Sequence, residues 1–479
     1  MNRRFQYVWS IGGLVMLVAL QGYAQYPEDA LRLSLPGIGV GARALGMGNA
    51  YVGVASDYSA LYWNPAGLAQ ARFSEFMIGL SYTGLNDQST FYGSTQPYTS
   101  SKTTLNALGL VYPLPVRRGS AAIALGYNRE SNFNSGVSFS GFNPDGSYIQ
   151  TWAPQGGRYN LSDLPYNLAF QIWLADTLGG RFASPVLGRT TQGARIIEDG
   201  GLNDWSFGGA FEVARNFSVG GTLTYTAGSY SYRRNYSEED THHLYDTLKS
   251  DYSNIDFQKL YVDDYIDGDI YGWGGQMGFM YRVPERFRFG FTVKFPTWYS
   301  VSEGYGTSAQ SFFDNGDNFT FQTPPGAVHY EVITPWKFSG GLSFIIRNLV
   351  LAGDVEFVDW RSQEFRDAPP EVMNLNTQMQ DVFREAFNYR GGLELDFSEI
   401  GFRVRGGFIY NTSPYKDDPS AYDQKIATGG IGLLLGPTVM LDVAYAHGWW
   451  QTFRINDGIS RTDEDVTSNN VMMTMLVRF

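Results

Sequence analysis

The stretch Arg286–Lys294, RFRFGFTVK, with Phe295 behind it, decides the fold. Phe287, Phe289, Phe291, Val293 and Phe295 fall on one side, and Arg286, Arg288, Thr292 and Lys294 on the other. Successive side chains of a strand point to opposite faces, so this is a strand with one apolar and one polar surface. In a soluble sandwich the apolar face meets a second sheet and the polar face meets water. In a membrane barrel the apolar face meets lipid and the polar face meets the lumen. Alternation alone does not separate the two.

The connections do. About fourteen such segments centre near residues 77, 108, 124, 208, 222, 276, 291, 338, 354, 393, 406, 429, 443 and 474, and an even number suits a closed barrel. Short turns are expected at Pro113–Arg118, Arg215, Pro284, Arg347–Asn348, Ser398–Ile400 and Gly436–Pro437. Between them, long loops are expected near 84–103, 131–200, 233–268, 301–325, 361–386, 414–421 and 451–468. Short and long links in strict alternation are the mark of a barrel threaded from one side of an outer membrane. The expected fold is all-β: a 14-stranded antiparallel transmembrane barrel with both termini on the periplasmic side.

Composition agrees. The 479 residues include 35 Lys+Arg against 47 Asp+Glu, 56 Gly and no Cys; aromatics make up 16% and charged residues only 17%. A mean hydropathy of -0.23 excludes a bundle of membrane helices. The net charge of -12 argues against nucleic acid, which needs a basic face. The absence of Cys excludes disulfides, thiolate metal sites and a Cys-linked lipid anchor. Residues 1–24 read as a secretory signal: Arg3 and Arg4, a short apolar core at Ile11–Leu20, then the small residues Gly22 and Ala24. Gln25 is the expected first mature residue, and the protein is exported.

The last segment places Val471, Met473, Met475, Val477 and Phe479 on one face, and the chain ends at Phe479. A terminal aromatic on an alternating strand is similar to the C-terminal signal read by outer-membrane insertion machinery. By the same parity Asp354, Glu356, Arg390, Glu394, Asp396, Arg403 and Arg405 point into the lumen from three successive strands. Strands lie roughly 4.8 Å apart, so opposite charges pair across the wall. The ladder reads as a brace that holds a plug, or as a polar relay along a transport path.

A barrel of this size is too wide for its own side chains to fill. Residues 25–71 are the expected plug and 72–479 the barrel. The plug is rich in Gly and Ala without a strand period, and its core is Gly41–Gln70, GARALGMGNAYVGVASDYSALYWNPAGLAQ. Gly41, Gly46, Gly48 and Gly53 permit close packing and unusual backbone angles, and Asp57–Leu61 fits a short helical turn before Asn64-Pro65.

This stretch strongly resembles the N-terminal hatch of FadL-type outer-membrane transporters of long-chain fatty acids and aromatic hydrocarbons. Thr334–Trp360 (TPWKFSGGLSF…LAGDVEFVDW) is similar to late barrel strands of that family. The resemblance implies that Asn64, Pro65 and Ala66 lie in a hatch that closes and gates the lumen, with Gly41, Gly46 and Gly48 seating it. It implies passive uptake of a hydrophobic small molecule by a monomer in contact with outer-membrane lipid, with no cofactor and a sideways exit through the wall. A similar hatch opening occurs in PorV-like components of type IX protein secretion, which is the alternative function.

Two outer segments carry helical spacing. In Leu161–Leu178, Leu161, Leu164, Leu168 and Ile172 share a face, a candidate outer hydrophobic groove or a cover for the barrel mouth. After Pro369-Pro370, Leu375, Met379, Val382, Phe383 and Ala386 share another, read chiefly as a packed lid. Asp263, Asp264, Asp267 and Asp269 lack the spacing of a calcium loop, and His242-His243 has no convergent ligands. No GxSxG, HExxH or phosphate loop occurs. No metal site and no enzyme activity are expected.

Overall fold

The structure, a computed structural model, describes residues 26–159, 164–246, 256–284, 286–458 and 460–479. The leader assigned to 1–24, Gln25 and the groove residue Leu161 lie outside the described residues.

Nineteen paired segments form one antiparallel sheet that closes on itself. Several continue one another across short breaks, and the result is a 14-stranded barrel. The strands are β1 (Glu75–Phe91), β2 (Ser94–Leu114), β3 (Ala121–Asn132, continued by Ser135–Asn143), β4 (Thr190–Ala214), β5 (Phe217–Glu239) and β6 (Phe257–Val283). Next come β7 (Phe287–Lys294 and Trp298–Phe313), β8 (Asn318–Gln322, Gly326–Ile333 and Lys337–Ile346) and β9 (Leu349–Asp359, with Glu364–Arg366). The last five are β10 (Glu385–Phe397), β11 (Phe402–Asn411), β12 (Gln424–Leu434), β13 (Val439–Asn456) and β14 (Ser460–Arg478). Each pairs with its neighbours in sequence, and β1 meets β14 with Glu75 opposite Arg478. No edge is left, as a bilayer requires. The Phe479 amide donates to the Ser74 carbonyl at 3.0 Å and fastens the end of the chain at the seam.

All fourteen expected centres fall in these strands, and the short turns lie where expected. The expected long loops need correction. Most of 84–103, 233–268, 301–325 and 451–468 is strand: β1 and β2 run on to a tight turn at Tyr92-Gly93, and β6 is 27 residues long. The reason lies in the solvent. Along β6 the outward apolar positions are Tyr271, Trp273, Met277 and Tyr281. Ten residues cover about 33 Å of strand, or about 25 Å of height at a barrel's tilt, which matches an apolar membrane band. Above Tyr271 the outward positions become Asp269, Asp267 and Asp263, interspersed with Tyr265 and Tyr261. There the outward face no longer carries the continuous apolar run that lipid demands, while inward Leu260, Val262 and Ile270 stay buried and the backbone ladder persists.

The expected amphipathic helix at Leu161–Leu178 is also corrected. The described part holds a 3₁₀ turn, Leu164–Tyr166, and a single turn α4 (Leu168–Gln171). Pro165 breaks the run, since proline lacks the donor a continuing helix needs. The stretch after Pro369 does form a helix, α5 (Pro370–Val382).

Inside the barrel the chain forms α1 (Pro27–Ser34), α2 (Ala42–Gly46), α3 (Ala60–Trp63) and a 3₁₀ turn, Pro65–Gln70. It starts in the outer half, where Ala30, Leu31 and Leu33 pack with Val372 and Met379 of α5. It then descends and leaves at the foot of β1. The lumen is thus filled twice, by α1 under α5 and by Gly41–Gln70 below.

Candidate functional site

The lower plug is seated on the wall by backbone. A Cβ at Gly278 would lie 2.1 Å from Asn64 Oδ1, and one at Gly392 would lie 2.0 Å from the Met47 carbonyl oxygen. Only glycine admits such an approach. Gly48 has φ +62 and passes 2.5 Å from the Gly391 carbonyl oxygen by the same measure, so it needs glycine on both counts. Gly41 opens α2 with φ 91, and its amide donates to Asn106 Oδ1 at 3.2 Å. Gly46 abuts Gly430. Asn64 is fully buried; its Nδ2 donates to the Val52 carbonyl at 2.8 Å and to the Phe279 carbonyl of β6 at 3.1 Å. Its Oδ1 accepts from the Ala66 amide at 3.1 Å and starts the turn that Pro65 begins. Ser218 Oγ donates to the Ala66 carbonyl. Burial pushes the phenols of Tyr51, Tyr58 and Tyr62 up, so they stay neutral inside the plug.

The lumen charges serve different partners. Glu356 and Arg390 pair at 3.0 Å. Asp396 and Arg403 pair at 3.0 Å near the periplasmic end and stay partly exposed. Glu394 takes Arg405 at 2.6 Å and also Arg43 of the plug at 2.8 Å, and Arg405 reaches on to Asp442 at 2.6 Å. Among the described residues Asp354 has no ion pair; its Oδ2 accepts from the amides of Tyr51 and Val52 at 2.6 and 2.8 Å. Asp354 and Glu394 therefore bond to the plug directly, Arg390 lies over the ring of the plug's Trp63 at 5.6 Å, and Arg405 acts through Glu394. Sequence reasoning missed Arg43 and Asp442. An isolated arginine in a glycine-rich segment carries no local signal, and its partner is 351 residues away.

Between α1 and the lower plug lies a cavity of about 350 Å³. Its apolar wall includes Ile38, Trp63, Leu85, Ile409, Ile426 and Trp450. Its charged lining is Arg129, Lys294, Lys337 and Arg390 against Glu130 and Glu356. Lys294 pairs with Glu130 at 2.8 Å. Among the described residues Lys337 donates only to the Ser34 carbonyl, at 2.7 Å, and Arg129 only to Asn203 Oδ1 and the Gly200 carbonyl. Of these groups the sequence pointed to Lys294, Glu356 and Arg390 alone. The cavity also reaches the wall. The β2–β3 ladder stops at Ala107 opposite Asn128, and Arg129, Ser131, Asn132, Asn134 and Ser135, around the break in β3, line the space beside Thr104 and Asn106.

The candidate outer groove is not an open surface. Leu168 and Ile172 are buried in a cap with Phe91, Phe139, Tyr148 and Phe257, and Leu164 is half-buried. The apolar side chains that the spacing brought together pack as the cap's own core. Among the described residues no cluster of His, Asp or Glu has the makings of a metal site.

The family model described as outer membrane protein transport protein (OMPP1/FadL/TodX) matches residues 200–479. Among solved structures, the P. putida toluene transporter TodX is similar at 13% identity and a TM-score of 0.56, over 92% of this chain and 99% of that one. A Pseudomonas aeruginosa FadL homologue is similar at 12% identity and a TM-score of 0.58, over 93% and 99%. The CymD monoaromatic hydrocarbon channel is similar at 15% and 0.52, over 92% and 98%. No curated protein matches significantly. At these identities the structures speak for the fold, while the family model covers more than half of the sequence: the chain belongs to the OMPP1/FadL/TodX family of outer-membrane transport proteins.

Proposed function

We propose that this protein passes hydrophobic small molecules across the outer membrane without an energy source, and that long-chain acids suit it better than plain hydrocarbons. The observation that carries this reading is the cavity, with its apolar wall, the buried Lys337 and the half-buried Arg129, neither of which meets a carboxylate among the described residues. Buried charges are normally paired. A ligand carboxylate would supply the missing charge, and an alkyl tail would lie against Trp63, Ile409, Ile426 and Trp450. Transfer of the tail from water, with consumption inside the cell, drives net uptake. The wall break beside the cavity supports a sideways exit. The plug's seat on glycine backbone and on Glu394 and Asp354 supports its role as the gate, with Asn64, Pro65 and Ala66 at the β6 contact. The toluene and monoaromatic channels of the same fold support a hydrophobic cargo over the secretion alternative.

The test is binding read by the fluorescence of the cavity tryptophans. Lys337→Gln removes one charge-assisted bond, so dodecanoate affinity is expected to fall on the order of tenfold or more while butylbenzene affinity is unchanged. Equal loss for both ligands would contradict the head-group reading; no binding of either would contradict the cargo class.

The proposed division of the chain has an exported leader at 1–24, the gate at 25–71 and the barrel at 72–479. Phe479 is exposed and adds little packing. Its removal is expected to lower the amount of barrel reaching the membrane several-fold in cells, yet leave refolding in detergent unchanged. Equal yields in cells would contradict the insertion role.

A further inference from the structure

The periplasmic rim carries a charge that the acidic composition does not foreshadow. Arg72 stands at the foot of β1, Arg117 and Arg118 in the β2–β3 turn, Arg215 in the β4–β5 turn, Arg286 in the β6–β7 turn and Arg347 in the β8–β9 turn. All six are exposed, and among the described residues none makes an ion pair. Arg282 adds a seventh, half-buried, with its Nε unpartnered. The β6–β7 turn also carries Glu285, which lies outside the described residues; Glu212, at the foot of β4, is occupied by the Asn216 amide and Ser120 Oγ. The remaining rim differs: the β10–β11 turn has Glu399 and no arginine, and the β12–β13 turn, Leu435–Thr438, has no charge. The basic arc therefore runs along one contiguous side, from β1 to β9.

Its height is fixed by the strands. Four of the seven follow an exposed apolar residue almost at once: Val116 before Arg117, Val213 before Arg215, Tyr281 before Arg282 and Ile346 before Arg347. At roughly 3.3 Å per residue, the guanidinium groups lie within a few ångströms of the edge of the apolar band. That is where phosphates of a lipid leaflet sit. A guanidinium matches phosphate oxygens in a planar, two-pronged contact, and its aliphatic stem can lie on the neighbouring apolar surface.

We propose that this arc binds anionic phospholipid head groups in the leaflet facing the periplasm, and so fixes a patch of acidic lipid along the β1–β9 side. A protein partner would need groups that stand clear of the membrane, whereas these turns are only a few residues long and end at head-group depth.

The test is native mass spectrometry of full-length protein released from nanodiscs of equal parts phosphatidylcholine and phosphatidylglycerol. Retained lipid is expected to favour phosphatidylglycerol by about fivefold or more, since each interfacial basic residue adds measurably to acidic-lipid binding. The six-fold variant R72Q, R117Q, R118Q, R215Q, R286Q and R347Q should bring the ratio close to unity. The matching six-lysine variant, which keeps the charge, should retain most of it and guards against a damaged turn. R158Q with R181Q and R189Q, in the outer loops, should change nothing. No preference in the wild type, or an undiminished one in the glutamine variant, overturns the proposal. So does a ratio erased by millimolar inorganic phosphate, which would mark a site for the free ion. The readout needs no cargo, so it stands apart from the transport reading.

Discussion

A protein lacking Tyr26–Ala71 is expected to fold as a barrel and to conduct ions on the order of tenfold or more above the intact chain, because a wide lumen left empty fills with water. Folding should survive because the wall closes without the plug: β1 meets β14 from Glu75–Arg478 to Thr90–Asp463, and the lipid-facing side chains belong to the strands. The inward carboxylates that lose partners, Asp354 and Glu394, come to face water instead of protein, which ends their desolvation penalty. The outer helix α5 would remain, but it has lost α1, which packs under it. Planar-bilayer recording is the measurement. Unchanged conductance would contradict the plug assignment.

The largest effect of one side chain is expected at Arg405. It is fully enclosed and bridges Glu394 and Asp442, each at 2.6 Å. Among the described residues, Arg405→Leu leaves Asp442 without an ion-pair partner and Glu394 with Arg43 alone. Breaking a buried ion pair from one side costs about 3–5 kcal/mol, more than an isolated surface pair by several-fold. Part of that cost should fall on the plug, because Glu394 is also its anchor. Thermal unfolding should shift down by several degrees, and bilayer records should show brief openings absent from the wild type. Arg405→Lys should recover only part, since an ammonium lacks the fork that spans two carboxylates. Wild-type melting and a closed lumen in Arg405→Leu would contradict the view that the ladder holds the plug.

What the sequence disclosed follows from where the solvent changes. Within the apolar band the two faces of a strand meet lipid and lumen, and RFRFGFTVK shows the contrast residue by residue. The turns were legible too, through Pro284 and the Gly436-Pro437 pair. Past the band, Ser94–Thr104 (STQPYTSSKTT) is polar on both faces, and nothing in its pattern distinguishes the long β1–β2 hairpin from a loop. The Leu161–Leu178 spacing misled because apolar residues four apart also pack in irregular caps, and Pro165 already stood in the run.

The candidate site was legible in part. Parity placed Glu356, Arg390, Glu394 and Arg405 on the lumen side, and composition picked out the plug. The contacts between plug and wall were not legible. Glycines that admit a backbone, such as Gly278 and Gly392, look like any other glycine in a strand. Lys337 sits in a segment where the inward face was not singled out, and its tie to Ser34 spans 303 positions.

The most direct test of the account is mass spectrometry of protein gently extracted from its native membrane, reading bound small molecules and bound proteins together. A near-stoichiometric hydrophobic ligand is expected, richest in acid-headed chains, absent from a control barrel and depleted in Lys337→Gln. An empty lumen with a stable protein partner would contradict it.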